Sequence, residues 1–250
     1  MATVVVSGAD RKVSERKFYS RMAIALVVLV LLGFGPSFYL KTVVPPYPRP
    51  NPTLPLGVML HGSVFTLWML AIVAQTQLIS AKKHAVHMQL GKLTVGLAVL
   101  MIPVMYLTSV WQVARANQPP FTDPLTWTIV PLAGIIPFAT MVWRGWANRR
   151  NAAVHKRAML SAAILTVAGP AIGRLPIAPP TPVGFTIIFL LGLLLFVPLF
   201  IHDRRIEGHI HSETRFGFTM LAISIAIPLI VMWTGLDWAA VAARLPGVNA

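Results

Sequence analysis

Met22 to Leu40 reads MAIALVVLVLLGFGPSFYL, 19 residues without a formal charge, bounded by Arg21 and Lys41. A helix of that length covers about 28 Å at 1.5 Å per residue, close to the roughly 30 Å of a bilayer's hydrocarbon core. A cleaved leader would carry a shorter apolar region of about 7–15 residues and a small-x-small exit site. This run is longer and closes on Pro36, Phe38 and Tyr39, so it is read as an uncleaved first membrane helix.

Composition extends that reading to the whole chain. Hydrophobic residues make up 56% of the 250 and charged residues 11%, against about 25% charged in ordinary soluble domains. Such a chain cannot cover itself with a wetted surface. Six further apolar stretches lie near 57–80, 91–112, 126–144, 157–177, 183–202 and 216–236, joining the first near 22–40. The expected fold is therefore all-α, an integral membrane bundle of seven transmembrane helices. A basic segment, 1–21, precedes the bundle and a tail, 237–250, follows it, with no soluble module attached.

The net charge of +14 suggests a nucleic-acid partner until the positions of the basic residues are examined. Arg11, Lys12, Arg16, Lys17 and Arg21, then Lys82, Lys83 and Lys92, then Arg144, Arg149, Arg150, Lys156 and Arg157, then Arg204, Arg205 and Arg215 all fall on alternate connections. The opposite connections hold only Lys41, Arg49, Arg115, Arg174 and Arg244. This positive-inside pattern predicts a cytoplasmic N-terminus and an outside C-terminus, and it explains the charge through the lipid bilayer with no nucleic acid. The absence of cysteine excludes disulfides, thiol catalysis and thiolate-ligated clusters. The outer connections VVPPYPRPNPTLP and ANQPPFTDPLT are rich in proline, which suits stiff extended links. Proline within the spans, including Gly169-Pro170, fits either hinges of a transporter or plain packing kinks.

The seven histidines divide unequally. His61 lies about four residues into span two from the outer side, on one helical face with Trp68 and Gln75, which recur every seven residues. A polar stripe in lipid should face the bundle. His84, His87, His155, His202, His209 and His211 collect at the inner ends. Of these, His87, His155 and His211 each stand at the start of an outward-running helix, as though one lead helix were followed by three hairpins. Imidazoles at one depth are candidate ligands for a transition metal or haem b, so His87, His155 and His211 form a candidate inner-side metal site. Helix capping and contact with lipid phosphate are the alternative roles. At the outer side His61, Met105 and Arg174 form a candidate cofactor site, with Arg174 as an anion clamp or a snorkelling charge. Tyr106, at the level of His61, is the alternative hydrogen-bond partner. Asp203 and Glu207 are expected to pair in solvent with neighbouring arginines. No Gly-rich phosphate loop, H-E-x-x-H or G-x-S-x-G motif is present.

The segments LHGSVFTLWMLAIVAQTQL, VHMQLGKL and VHKRAMLSAAILTVAGPAIGRL resemble a group of bacterial inner-membrane proteins of uncharacterised activity. That group has an intramembrane His, a Gln near the helix end, a His-x-x-Leu-Gly corner and a His-Arg/Lys-x-x-Met corner leading to Arg. The likeness covers Leu60 to Leu175 and maps those positions onto His61, Gln75, His87, Leu90, Gly91, His155, Met159 and Arg174. Met88 replaces a common basic residue and Ala158 a common aromatic. The group is similar to cytochrome b561-like and ferric-reductase-like helical bundles, which implies a haem- or metal-binding redox membrane protein of the bacterial inner membrane. The alternative is a non-catalytic membrane protein: a permease for a small or lipidic solute, or an accessory subunit with a membrane-complex partner or a homo-oligomeric assembly.

Overall fold

The computed structural model describes residues 8–43 and 53–248, with side chains from residue 12 onward. Arg49 and the Arg11 side chain, both used in the charge reading, lie outside the described residues. Helix α1 spans Gly8–Phe34 and ends in a π-helical turn, Gly35–Tyr39. Then come α2 (Leu56–Ser80), α3 (His84–Arg115), the short α4 (Pro124–Trp127) and α5 (Ile129–Leu132), α6 (Ile135–Ala147) and α7 (Ala152–Ile172). The chain continues through α8 (Pro182–Leu193), α9 (Val197–Glu207), α10 (Ser212–Thr234) and the short α11 (Trp238–Ala242). No strand occurs among the described residues.

Among the described residues six segments are long and apolar enough to cross a membrane: Lys12–Tyr39, Leu56–Ser80, His84–Arg115, Pro124–Ala147, Pro182–Glu207 and Ser212–Thr234. The stretch expected as span five is helical too, as α7, but its first turns carry His155, Lys156 and Arg157 and it falls outside that group. Large apolar side chains, among them Leu32, Leu67, Leu93, Ile136, Leu194 and Ile230, are exposed around the bundle. A water-soluble monomer does not tolerate so continuous an apolar surface; a lipid-embedded one needs it.

The boundaries depart from expectation where local chemistry differs from bulk hydropathy. Helix α1 begins at Gly8, so most of the basic segment belongs to the helix rather than to a separate tail. The stretch expected as one span over 126–144 is three helices, because Pro131 and Pro137 lack the backbone donors that would bond the Trp127 and Ala133 carbonyls at the two breaks. A 3₁₀ turn, Leu194–Phe196, precedes Pro198 between α8 and α9 for the same reason.

Helix α7 is the hub, buried against α1, α6, α8 and α10. Its core face is mostly small: Ala158, Ser161, Ala162, Ala163, Ala168 and Ala171 are buried. Small faces let backbones approach closely, which replaces the hydrophobic drive that lipid does not supply. The partners match. A Cβ at Gly33 of α1 would collide with the Ala171 backbone, and one at Gly217 of α10 would collide with the Ser161 side chain. Aromatic packing fills the wider gaps; Trp68 and Phe138 are fully buried and meet edge to face at 5.6 Å.

Candidate functional site

Successive long helices alternate in direction, so the chemistry sorts to two ends of the bundle. The basic end gathers the start of α1, the ends of α2, α6 and α9, and the starts of α3, α7 and α10. There Arg157 of α7 is wholly buried and faces Asp203 of α9, also wholly buried. Its Nε and Nη2 donate to Asp203 Oδ1 at 2.9 and 2.6 Å, Nη2 also to Glu207 Oε1 at 2.8 Å, and Nη1 to the Ala153 carbonyl at 2.9 Å. The second oxygen of Asp203 accepts from Thr214 Oγ1 at 2.5 Å and from the His211 backbone N–H at 3.1 Å. A second lock joins α6 to α10: Arg144 donates from Nε and Nη2 to the two oxygens of Glu213 at 2.8 and 2.5 Å. Buried charges hold only when each finds a partner and its remaining hydrogen bonds. That condition is met here across four helices.

This corrects the expectation of solvent pairing for Asp203 and Glu207. Asp203 is sealed in the bundle and its partner is Arg157, 46 residues away, rather than Arg204, Arg205 or Arg215. One signal was available. The chain has only seven acidic residues, and three of them, Asp203, Glu207 and Glu213, fall within eleven positions at a basic corner where positive-inside placement asks for none.

The three corner histidines part company. His87 of α3 and His155 of α7 form a perpendicular pair with ring centroids 6.3 Å apart. His155 Nδ1 donates to the Gly145 carbonyl at 2.8 Å, which places a proton on Nδ1 and turns Nε2 away from that bond. Gln75 reaches His87 from α2: with its amide oriented to satisfy both ends, its oxygen accepts from the Gly91 N–H at 2.9 Å and its nitrogen donates to the His87 carbonyl at 3.1 Å and to His87 Nδ1. Gln75, His87, Gly91 and His155, four positions of the quoted motifs, thus meet in one place. His211 has another task. Its Nδ1 accepts from the Glu213 N–H at 3.0 Å and caps α10. Burial pushes its imidazole below the ordinary range, and the Arg157 charge adds to this against Glu207, Asp203 and Glu213. Among the described residues no group of three or more His, Asp or Glu side chains is arranged to hold a metal ion. A closed zinc-type site needs four ligands; the paired imidazoles offer two.

At the proline-rich end, the stripe of His61, Trp68 and Gln75 turns inward as expected, with Trp68 and Gln75 buried. His61 stacks on Phe65 with centroids 4.2 Å apart, and its buried Nδ1 has no hydrogen-bond partner among the described residues. Tyr106 does not supply one; its hydroxyl donates to the Pro246 carbonyl at 2.9 Å. Met105 turns its terminal methyl toward Gly134. Arg174 lies with its guanidinium carbon 4.0 Å from the Phe34 ring centroid, donates to the Pro170 carbonyl at 2.7 Å, and acts electrostatically on His61. On the far side of the same end, a cleft of about 560 Å³ opens between α4, α5, α8 and α10, lined by Phe121, Asp123, Trp127, Phe185, Val231 and Leu236 among others. No family model, curated protein or solved structure matches the chain.

Proposed function

We propose that the protein is a seven-crossing permease of the bacterial inner membrane for a small or lipidic solute, with the basic end in the cytoplasm and the C-terminus outside. The alternating basic connections support the orientation. The seventh crossing is α7, whose 21 residues span about 32 Å at helical rise and whose polar start is covered by its neighbours. One observation carries the transport reading: the bundle is bolted at one end by two interhelical ionic locks and open at the other through an amphipathic cleft. From Glu213 to Val231 along α10 is about 27 Å, so lock and cleft lie near opposite faces. A carrier that exposes its site to one side at a time needs such a reversible seal, and hinge elements that move, here the helix breaks at 128–134 and 194–196.

The lack of native cysteine makes the test direct. Thr126→Cys, in the cleft, should react with a membrane-impermeant maleimide added outside. Ser161→Cys, buried behind the lock, should become reactive from the cytoplasmic side only when Asp203→Asn is added. If Ser161→Cys stays unreactive in that double variant, the lock is not a gate and the permease reading fails. A second reading, a haem- or metal-binding redox protein, is favoured by the His87–His155 pair. In that case the His155 Nε2 would face the bound group, His87 would join it once the ring's Nδ1 bond to Gln75 was given up, and the group would supply the electron transfer. Protein purified from haem-replete cells that shows no visible absorption band and no bound metal would end it.

A further inference from the structure

We infer that the cleft between α4, α5, α8 and α10 binds a lipophilic organic cation, an ammonium or phosphonium centre carried on apolar groups, held between the Asp123 carboxylate and the rings of Phe121, Trp127 and Phe185. This gives the solute of the proposed permease a chemical class, and it rests on that reading for passage across the membrane though not for binding. The cleft encloses about 560 Å³, within the range of about 300–1,000 Å³ usual for small-molecule sites. Its walls come from separate parts of the chain. Phe121 precedes α4, Trp127 ends it and Phe185 belongs to α8. The Phe185 ring centroid stands 5.7 Å from that of Phe121 and 5.3 Å from that of Trp127, so the three rings form one aromatic wall. Val231, near the end of α10, and Leu236, just beyond it, add to the apolar lining.

Charge decides the sign of the ligand. Among the described residues that line the cleft, Asp123 is the only charged one. Its Oδ1 accepts from the Thr126 N–H at 2.9 Å, and no Lys, Arg or His pairs with it among the described residues. Desolvation pushes this carboxyl up, but the hydrogen bonds from Thr126 outweigh it and hold the group below the usual carboxylate range, so it is ionised at neutral pH. The basic end is the contrast: there Glu15 meets Lys156, Asp203 and Glu207 meet Arg157, and Glu213 meets Arg144. In a chain of net charge +14, the acid that the fold leaves without a cation stands beside its aromatic cleft. Aromatic faces attract cations and a carboxylate does so more strongly, while both disfavour anions. An inorganic cation would answer Asp123 and leave the rings unused; a neutral amphiphile would fill the walls and leave the carboxylate unused. A cation on apolar groups uses both. Asp237, which caps α11, adds negative charge at the same end but does not line the cleft.

The full chain is placed in nanodiscs of phosphatidylcholine and titrated with radiolabelled tetraphenylphosphonium, with empty nanodiscs as the blank. Binding should saturate at one equivalent per chain, and the cation should slow maleimide labelling of Thr126→Cys at least fivefold. Triphenylphosphine oxide, a neutral molecule with similar rings, should compete at least tenfold more weakly. Asp123→Asn keeps a cap on α4 and removes the charge, so affinity should fall at least tenfold; Asp123→Glu should recover it to within threefold of the parent. Trp127→Leu should weaken binding at least threefold. Asp237→Asn, the same exchange at a cap outside the cleft, should leave affinity within twofold, and all these variants should keep the thermal midpoint within a few degrees. Absence of saturable binding, an Asp123→Asn affinity within twofold of the parent, or an equal loss in Asp237→Asn would overturn the inference. The lock is tested separately: a chain that binds the cation while Ser161→Cys stays unreactive in the Asp203→Asn background keeps the inference and loses the permease, and one whose lock opens without saturable binding does the reverse.

Discussion

At the basic end of the bundle Arg157, Asp203 and Glu213 are withdrawn from solvent and each is answered by a charge on another helix. About 21 Å away along α2, counted from Gln75, the His61 Nδ1 is withdrawn as well and has no hydrogen-bond partner among the described residues. The first arrangement holds helices together and costs little only while complete. The second makes a ring contact with Phe65 and no polar bond from Nδ1 among the described residues, so it adds no ionic or hydrogen-bonded link between helices there. Small side chains let α7 approach its neighbours at both ends, so packing does not separate the two regions. Satisfaction of polar groups does.

The comparison breaks first if the lock proves unimportant. Asp203→Ala leaves the Arg157 guanidinium buried without its main partner and should lower stability by about 3–5 kcal/mol, read as a large fall in the thermal midpoint of the detergent-solubilised protein. A loss under about 1 kcal/mol would mean that water or Glu207 replaces the carboxylate, and the end would no longer count as a lock.

A smaller effect should sharpen the same end. His211 caps α10 through an unprotonated Nδ1, and its folded pKa lies below the ordinary value of 6.5. A group so depressed binds protons more readily when unfolded, so its stabilisation is complete above that value and declines as pH falls below it. His211→Asn retains an N-cap oxygen but not the titration, and should flatten the acid side of the stability profile between pH 7 and pH 5. An unchanged profile would show that the cap is indifferent to protonation.

The smallest expected change lies at the other end. His61→Leu exchanges an unsatisfied polar group for an apolar one of similar size and should leave stability within about 1 kcal/mol of the parent, or raise it. A loss of more than about 2 kcal/mol would show that His61 is a packing element after all, and the two ends would then be alike.

Much of the architecture was legible because lipid imposes a simple rule. The second span was expected over 57–80 and is Leu56–Ser80; its inward stripe followed from a seven-residue spacing. The breaks in the fourth and sixth segments, at Pro131 and Pro198, were not legible, because membrane helices tolerate proline and composition does not say which ones give way. The site was less legible. Arg157 looked like one more positive-inside charge and Asp203 like a loop acid, because pairing them requires knowing that α7 and α9 face each other across 46 residues. His61 is legible as an imidazole in oil, but nothing in the sequence says that the Tyr106 hydroxyl bonds the Pro246 carbonyl and leaves the His61 Nδ1 without a partner among the described residues.

That separation of 46 residues has a consequence for biogenesis. The ribosome adds Arg157 well before it delivers Asp203, roughly 2–9 s earlier at about 5–20 residues per second, and during that interval the guanidinium lacks the Asp203 carboxylate. Until α9 arrives α7 carries an incomplete lock, and a chain stalled between the two would present a cation without its buried partner.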